Sequence, residues 1–167
     1  MKIRQAQLED LKAIIITTKL AFKNEVQSDQ TEHKIVDELM HSESYIPELT
    51  LVAEIDNAIV GHIMYSKIKI GQHDGYAMAP LSVHPDYQKQ GIGNALMEHT
   101  LRKIPKNIPV IILGHPSYYV KFGFVPASRY HITPPFDVPD DVFMVRESKY
   151  LTENGIQGVV EYPEALS

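Results

Sequence analysis

Between Leu81 and Leu96 the sequence changes character in a way that restricts the fold more than any other stretch. Leu81-Ser82-Val83-His84 reads as the end of a strand, and Pro85-Asp86-Tyr87-Gln88-Lys89-Gln90 reads as a turn. Gly91-Ile92-Gly93-Asn94-Ala95-Leu96 then opens a helix. A strand that feeds a helix through a glycine turn requires a layered arrangement of sheet and helix. It also leaves backbone N–H groups from Gln88 through Asn94 without helical partners. With the positive end of the helix dipole, those amides form an anion site. Glycine at 91 and 93 lets a phosphate approach with no Cβ in the way, and Lys89 adds a mobile positive charge. A pyrophosphate suits such a turn. No Gly-Lys-Ser/Thr follows, so this is not a nucleotide-triphosphate loop, and the third glycine of a dinucleotide fingerprint is missing.

The rest of the chain supplies the remaining layers. Residues 2–7 alternate as a first strand, and Leu8 to Phe22 carries Leu11, Ile14, Ile15, Thr18 and Phe22 at helical spacing. A second helix is expected from Asp29, with Glu32 completing a capping box and Ile35, Val36, Leu39 and Met40 on its apolar face. Leu49–Ile55 and Ala58–Ile70 flank the turn dipeptide Asp56-Asn57 and read as an antiparallel hairpin. Gly71 to Gly75 is a turn, and Tyr76 to His84 is a strand interrupted by Pro80. After the helix from Gly91 to about Ile104, Val110–Leu113 has the pattern of a strand buried on both faces. Pro116 to Phe122 is a short helix with proline at its start, ended by Gly123. Phe124-Val125 begins further strand structure. Val142–Glu147 and Gly158–Tyr162 form a strand-rich tail, about 132–167, separated by a polar loop. The expected architecture is a single α/β (α+β) domain spanning 1–167, with a mixed sheet and flanking helices.

Charge and composition narrow the function. The net charge of −5 argues against general nucleic-acid binding. Between Tyr87 and His131, however, six bases face one acid, Glu98, so this segment is locally basic in an acidic chain. That imbalance fits an anionic ligand, or a chance cluster of solvated lysines. There is no cysteine, which excludes disulfides, thiolate metal sites and a cysteine nucleophile. The eight histidines fall in no close-spaced ligand pattern, so no metal is expected. Ser82 and Ser117 lack the elbow of a serine hydrolase. No apolar run is long enough to span a bilayer, and the first residues lack a signal-peptide core. The expectation is therefore a cytoplasmic protein without a membrane partner.

The turn and its flanks resemble the acetyl-CoA-binding motif of the GNAT superfamily, Gln/Arg-x-x-Gly-x-Gly/Ala after a strand. Here that motif is Gln88-Lys89-Gln90-Gly91-Ile92-Gly93. A second segment, Tyr118-Tyr119-Val120-Lys121-Phe122-Gly123-Phe124, resembles the superfamily's Tyr-x-x-x-Gly-Phe. Gly114-His115-Pro116-Ser117-Tyr118-Tyr119 and Val138-Pro139-Asp140 are similar to a bacterial branch of predicted acetyltransferases. The resemblance implies a mostly antiparallel twisted sheet in which two parallel strands, 76–84 and 110–114, splay apart to admit acetyl-CoA. It implies that the backbone of Leu81, Ser82 and Val83 pairs with the pantetheine arm. The pyrophosphate would rest on Gln88, Lys89, Gln90, Gly91, Ile92, Gly93 and Asn94. Proline tolerates only bulges or edges, which places a strand distortion at Pro80.

In this family the acetyl group passes directly to a primary amine of a small molecule or peptide. The resemblance assigns the general acid for the leaving sulfur to Tyr119. A carboxylate that many members carry just before the motif is missing, since the region reads Ala77-Met78-Ala79-Pro80-Leu81-Ser82. Glu54 on the hairpin, His115 at the end of the second strand, or a water chain would substitute as base. A histidine beside proline also serves as a helix cap, and Glu54 also reads as a solvated strand carboxylate. The missing carboxylate keeps a second reading open, a non-catalytic acyl-CoA-binding module. A third reading is an unrelated nucleotide domain whose glycine turn imitates the motif. Family members are often dimers, which makes a homodimer the expected assembly.

Overall fold

The computed structural model describes residues 1–26 and 28–166. Strand β1 (Lys2–Gln5) leads through a short 3-10 turn into helix α1 (Leu11–Phe22). Asp10 closes that turn by accepting from the Gln7 N–H at 2.7 Å, and its carboxylate is also held by Arg4. Helix α2 (Glu32–Met40) starts later than the expected Asp29. Gln30 takes a left-handed φ of 65°, which no helix accommodates, so Asp29 instead holds the preceding turn. Its Oδ1 accepts from the Thr31 N–H and hydroxyl, and Ser28 donates to Glu32.

Strands β2 (Leu51–Ile55) and β3 (Ala58–Ile70) form the expected hairpin. Asp56 and Asn57 both have positive φ, the geometry that matches the natural twist of two strands. Strand β4 (His73–Val83) returns along β3 after a turn at Gly71 and begins before the expected Tyr76. Its pairing slips between Ile63 and Tyr65 of β3, which face Leu81 and Met78. Ala79 and Pro80 therefore share the place opposite Met64, a bulge where proline's missing donor predicted one. Helix α3 (Ile92–Lys103), strand β5 (Val110–Leu113) and helix α4 (Pro116–Tyr119) follow. Helix α4 tightens into a 3-10 turn and stops at Gly123, whose φ is 89°. Strands β6 (Phe124–Pro126), β7 (Ile132–Thr133) and β8 (Phe143–Arg146), helix α5 (Lys149–Glu153) and strand β9 (Gly158–Glu161) complete the chain.

The sheet runs β1-β2-β3-β4-β5-β8-β6, with β9 joined to β3 and β7. Neighbours on the main path are antiparallel except β4 and β5. Those two are parallel but pair only at Tyr76–Val110 and Ala77–Ile111. Beyond Ala77 they part, leaving the open edge of β4 from Met78 to Val83. Val110, Ile111 and Ile112 are buried as expected, but Leu113, past the split, is 47 % exposed.

Three apolar clusters hold the layers together. On one face α3 packs Ile92, Leu96 and Met97 against Ala53, Ile63 and Tyr65. Gly61 is needed there because a Cβ would stand 2.8 Å from Ile92 Cγ2. On the other face α1 and α2 cover Val52 and Met64 with Ile14, Val36 and Leu39. The C-terminal segments cover Ile68, Ala77 and Ile111 with Ala127, Ile132, Leu151 and Val160. Each fully buried aliphatic side chain contributes about 1.5–3 kcal/mol of transfer free energy. Arg146 of β8 is 3 % exposed and faces no carboxylate among the described residues. Its guanidinium donates instead to the carbonyls of Leu101, Ile104, Pro105 and Ile108, tying the end of α3 to the connection before β5. That places its charge at the negative end of the α3 dipole.

Candidate active site

The split between β4 and β5 opens into a cleft of about 640 Å³. Leu81 and Val83 form its wall, and Gln88, Lys89, Gly91, Ile92, Gly93 and Asn94 form its rim. Gln90 belongs to the same loop but is exposed and does not line the cleft. Ser82 lies on the opposite side of the strand, 1 % exposed, with its hydroxyl 3.5 Å from that of Thr18 on α1.

The loop is fixed from both ends. His84 Nδ1 accepts from the Asp86 N–H at 3.1 Å, and Gln88 Nε2 donates to the Val83 carbonyl at 3.1 Å. Lys89 and Gly91 take φ of 64° and 85°. The amides of residues 89–94 make no backbone hydrogen bond among the described residues, whereas that of Ala95 already donates to the Gly91 carbonyl. This is a row of free donors at a helix N-terminus, suited to a phosphate. The two glycines serve different needs. Gly91 has open space around it and is required by its positive φ, whereas a Cβ on Gly93 would lie 3.1 Å from the Tyr118 hydroxyl.

Helix α4 brings its two tyrosines to different surroundings. Tyr118 lines the cleft and donates to Asn94 Oδ1 at 2.9 Å, with Lys121 Nζ 4.2 Å from its ring centroid. Tyr119 packs inward, 9 % exposed, in the cluster that holds Tyr65 and Phe124. Its ring lies so close to Gly114 that a Cβ there would stand 2.4 Å from it. Among the described residues the Tyr119 hydroxyl makes no hydrogen bond, yet it is not one of the fully enclosed unpartnered atoms there, which are both ring nitrogens of His62 and Ser66 Oγ. Burial, with Tyr118 and Tyr65 nearby, pushes the Tyr119 phenol well above its ordinary range. It remains protonated at neutral pH.

The two substitute bases fare less well. Glu54 is bound to the Arg4 guanidinium, which also holds Asp10. It does not line the cleft, so its carboxylate is engaged in a structural ion network. His115 precedes α4 at its cap position with its side chain exposed and is likewise absent from the cleft lining. Among the described residues the one carboxylate that does line the cleft is Glu25, just beyond α1. Nothing in the sequence near Glu25 marks it, because it falls between the helical pattern of α1 and the turn before α2. Among the described residues no group of three or more histidine and acidic side chains is placed to hold a metal ion. Among those residues no helix is long and apolar enough to cross a membrane.

A mixed sheet split between two parallel strands, with an amide-lined helix N-terminus at the mouth of the split, defines a class of proteins that receive a long anionic cofactor edge-on. Residues 47–126 match the model of the acetyltransferase (GNAT) domain. The chain is 32% identical over 117 residues to the uncharacterised N-acetyltransferase YjhQ of Escherichia coli, an alignment covering 66% of this chain and 65% of that protein. It is 30% identical to the uncharacterised N-acetyltransferase YhbS of E. coli, covering 70% of this chain and 72% of YhbS. The structure of YhbS with CoA superposes with a TM-score of 0.83 over 99% of this chain and 91% of that one, at 26% identity. A GNAT acetyltransferase of Brucella melitensis solved with acetyl-CoA superposes with a TM-score of 0.77 over 99% and 97%, at 28% identity. The chain belongs to the GNAT family of acetyltransferases, whose co-substrate is acetyl-CoA.

Proposed function

We propose that this protein transfers the acetyl group of acetyl-CoA directly to a primary amine of a small molecule or peptide. The observation that carries the reading is the split between β4 and β5, with free amides at 89–94 beside it. In this reading the pyrophosphate rests on residues 88–94, with Lys89 and Lys121 as counter-charges. The pantetheine arm adds to the open edge of β4 at Leu81, Ser82 and Val83, much as an extra strand would.

The chemistry needs three things: a donor to the developing oxyanion, a proton for the sulfur, and removal of a proton from the amine. When bound, acetyl-CoA supplies the activated thioester. A free backbone N–H near Leu81 meets the first need. Tyr119 meets the second: its phenol is protonated, unpartnered and packed beside Gly114, where β5 has left β4. Tyr118 differs, since its hydroxyl is already bonded to Asn94 and so belongs to the cofactor-binding end.

The test is steady-state release of free thiol from acetyl-CoA across polyamines, aminoglycosides, amino acids and peptides. Acceptor-dependent release supports the transferase. Intact acetyl-CoA binding with no release across the panel would favour the non-catalytic binding module. Tyr119→Phe is expected to lower kcat about 100-fold or more with acetyl-CoA affinity unchanged. Unchanged turnover would remove Tyr119 from the mechanism.

A further inference from the structure

A second cavity, of about 490 Å³, opens at the start of β4, the far end of that strand from the glycine turn. It shares no residue with the cofactor cleft. Backbone contacts fix its walls. Gly71 turns the chain from β3 into β4 with a φ of 59°, and a Cβ on it would stand 2.8 Å from the Gln157 carbonyl oxygen. Gly75 lets β4 run close to the connection before β5, since a Cβ there would lie 3.1 Å from the Pro109 carbonyl oxygen. The Tyr76 N–H donates to that same oxygen at 2.9 Å, and Arg146 holds the Ile108 carbonyl at 3.2 Å.

The lining combines apolar surface with convergent polar groups, as small-molecule sites do. Ile108 and Ile156 supply aliphatic surface, and the rings of Tyr76 and Tyr150 supply aromatic surface. Tyr76 packs with the cluster under α3 and Tyr150 with the C-terminal one, so the two rings come from opposite faces of the sheet. Gln72, His73 and Asn107 add two carboxamides and an imidazole. Among the described residues, none of these three side chains and neither phenol has a hydrogen-bond partner. The fold makes no use of them, which leaves their donors and acceptors to water or to a guest. Asp74 is the only carboxylate on the lining, with Lys69 on its Oδ1, and no lysine or arginine lines the cavity among the described residues.

We propose that this cavity binds an uncharged purine nucleoside, separately from acetyl-CoA. A carboxamide carries a donor and an acceptor side by side in one plane, the pattern that matches N6 and N7 of adenine. Gln72 and Asn107 provide two such groups, one from the turn before β4 and one from the connection before β5. Flat bases stack on aromatic rings, and Tyr76 and Tyr150 offer theirs. Asp74, whose Oδ1 is held by Lys69, has a second oxygen to accept from a ribose hydroxyl. An acidic side chain takes that role towards ribose in dinucleotide sites. A phosphate would meet no cation on the lining and would face Asp74, which selects the nucleoside over the nucleotide. The size suits one such guest, since small-molecule sites occupy roughly 300–1,000 Å³. The nucleoside would touch both β4 and the connection into β5, at the end where those strands are still paired through Tyr76 and Val110. It therefore leaves the split free for acetyl-CoA.

The experiment is calorimetric titration of adenosine into the protein, both alone and saturated with acetyl-CoA, beside adenosine monophosphate and ribose. One adenosine should bind per chain in both states, with a dissociation constant of roughly 1 mM or tighter. The monophosphate and ribose should each bind about tenfold or more weakly than adenosine. Gln72 and Asn107 are exposed, so a double variant, Gln72→Leu with Asn107→Leu, should melt with the wild type and bind acetyl-CoA normally. Its affinity for adenosine should fall about tenfold or more. No binding of adenosine, or equal binding of the monophosphate or of ribose, overturns the inference. Displacement of adenosine by acetyl-CoA, which would place it in the cofactor cleft, overturns it as well. So does wild-type affinity in a folded double variant. The ligand series and the competition with acetyl-CoA decide the matter even without that variant.

Discussion

Tyr118 and Tyr119 are neighbours in sequence with different surroundings, the first bonded to Asn94 at the cleft and the second packed in the apolar cluster, and the proposed function gives them different ends of the cofactor. Tyr118→Phe removes one neutral hydrogen bond, that to Asn94, worth about 0.5–1.5 kcal/mol. Calorimetry should show acetyl-CoA affinity falling a few-fold with kcat unchanged, the converse of Tyr119→Phe. His62 makes a separate prediction about stability. The folded chain holds its imidazole neutral down to about 3, whereas the unfolded chain protonates it near 6.5. Between those values the unfolded state binds the additional proton. Stability is therefore full above pH 6.5 and falls by up to about 1.4 kcal/mol per unit as pH drops towards 3. Urea melts from pH 7 to pH 4 should show that slope, and His62→Leu should flatten it. An unchanged slope in the variant would mean other groups carry the acid sensitivity.

At the scale of elements, the turn before α3 and the short helix α4 decide the site. Gly91→Ala meets no neighbour but forces a side chain into left-handed backbone, a cost of about 1–2 kcal/mol. Gly114→Ala should displace the Tyr119 ring and lower kcat with little effect on acetyl-CoA affinity, as read by paired rate and calorimetry measurements. Much of this was legible in the sequence because its signals are local. Asp56-Asn57 announces the hairpin, Pro80 the bulge, and Gly91-x-Gly93 the start of α3. What was not legible depended on contacts distant in sequence or on unmarked backbone. The left-handed Gln30 moved the start of α2. Helix α5 replaced the expected polar loop because five residues with one buried anchor, Leu151, are too few to show a helical period. The inward turn of Tyr119 was equally hidden, since a four-residue helix passing into a 3-10 turn has no readable face. Glu54 illustrates the same limit, as its partner Arg4 is fifty residues away.

For the molecule as a whole, the basic stretch and the buried Arg146 have separate consequences. The chain is acidic overall, yet Lys89 and Lys121 line the cleft with Glu25 as the single acid there among the described residues. Acetyl-CoA affinity should weaken as salt rises from 0.02 to about 0.5 M, over which exposed charges are progressively screened. Arg146 joins the layers through four carbonyls at the C-terminal end of α3. Arg146→Met leaves the buried Ile104 carbonyl without a donor, while those of Leu101 and Pro105 keep the backbone N–H groups of Ile104 and Ile108, and should cost about 1–3 kcal/mol in chemical denaturation. The central claim is that the split between β4 and β5 is where acetyl-CoA binds. The direct measurement is calorimetric titration of acetyl-CoA into wild type and Gly93→Val, whose new side chain would collide with the Tyr118 hydroxyl and crowd the amide row. One acetyl-CoA per wild-type chain, with affinity at least tenfold weaker in a Gly93→Val protein of unchanged melting temperature, is the predicted result. No binding by wild type, or equal binding by the variant, would contradict it.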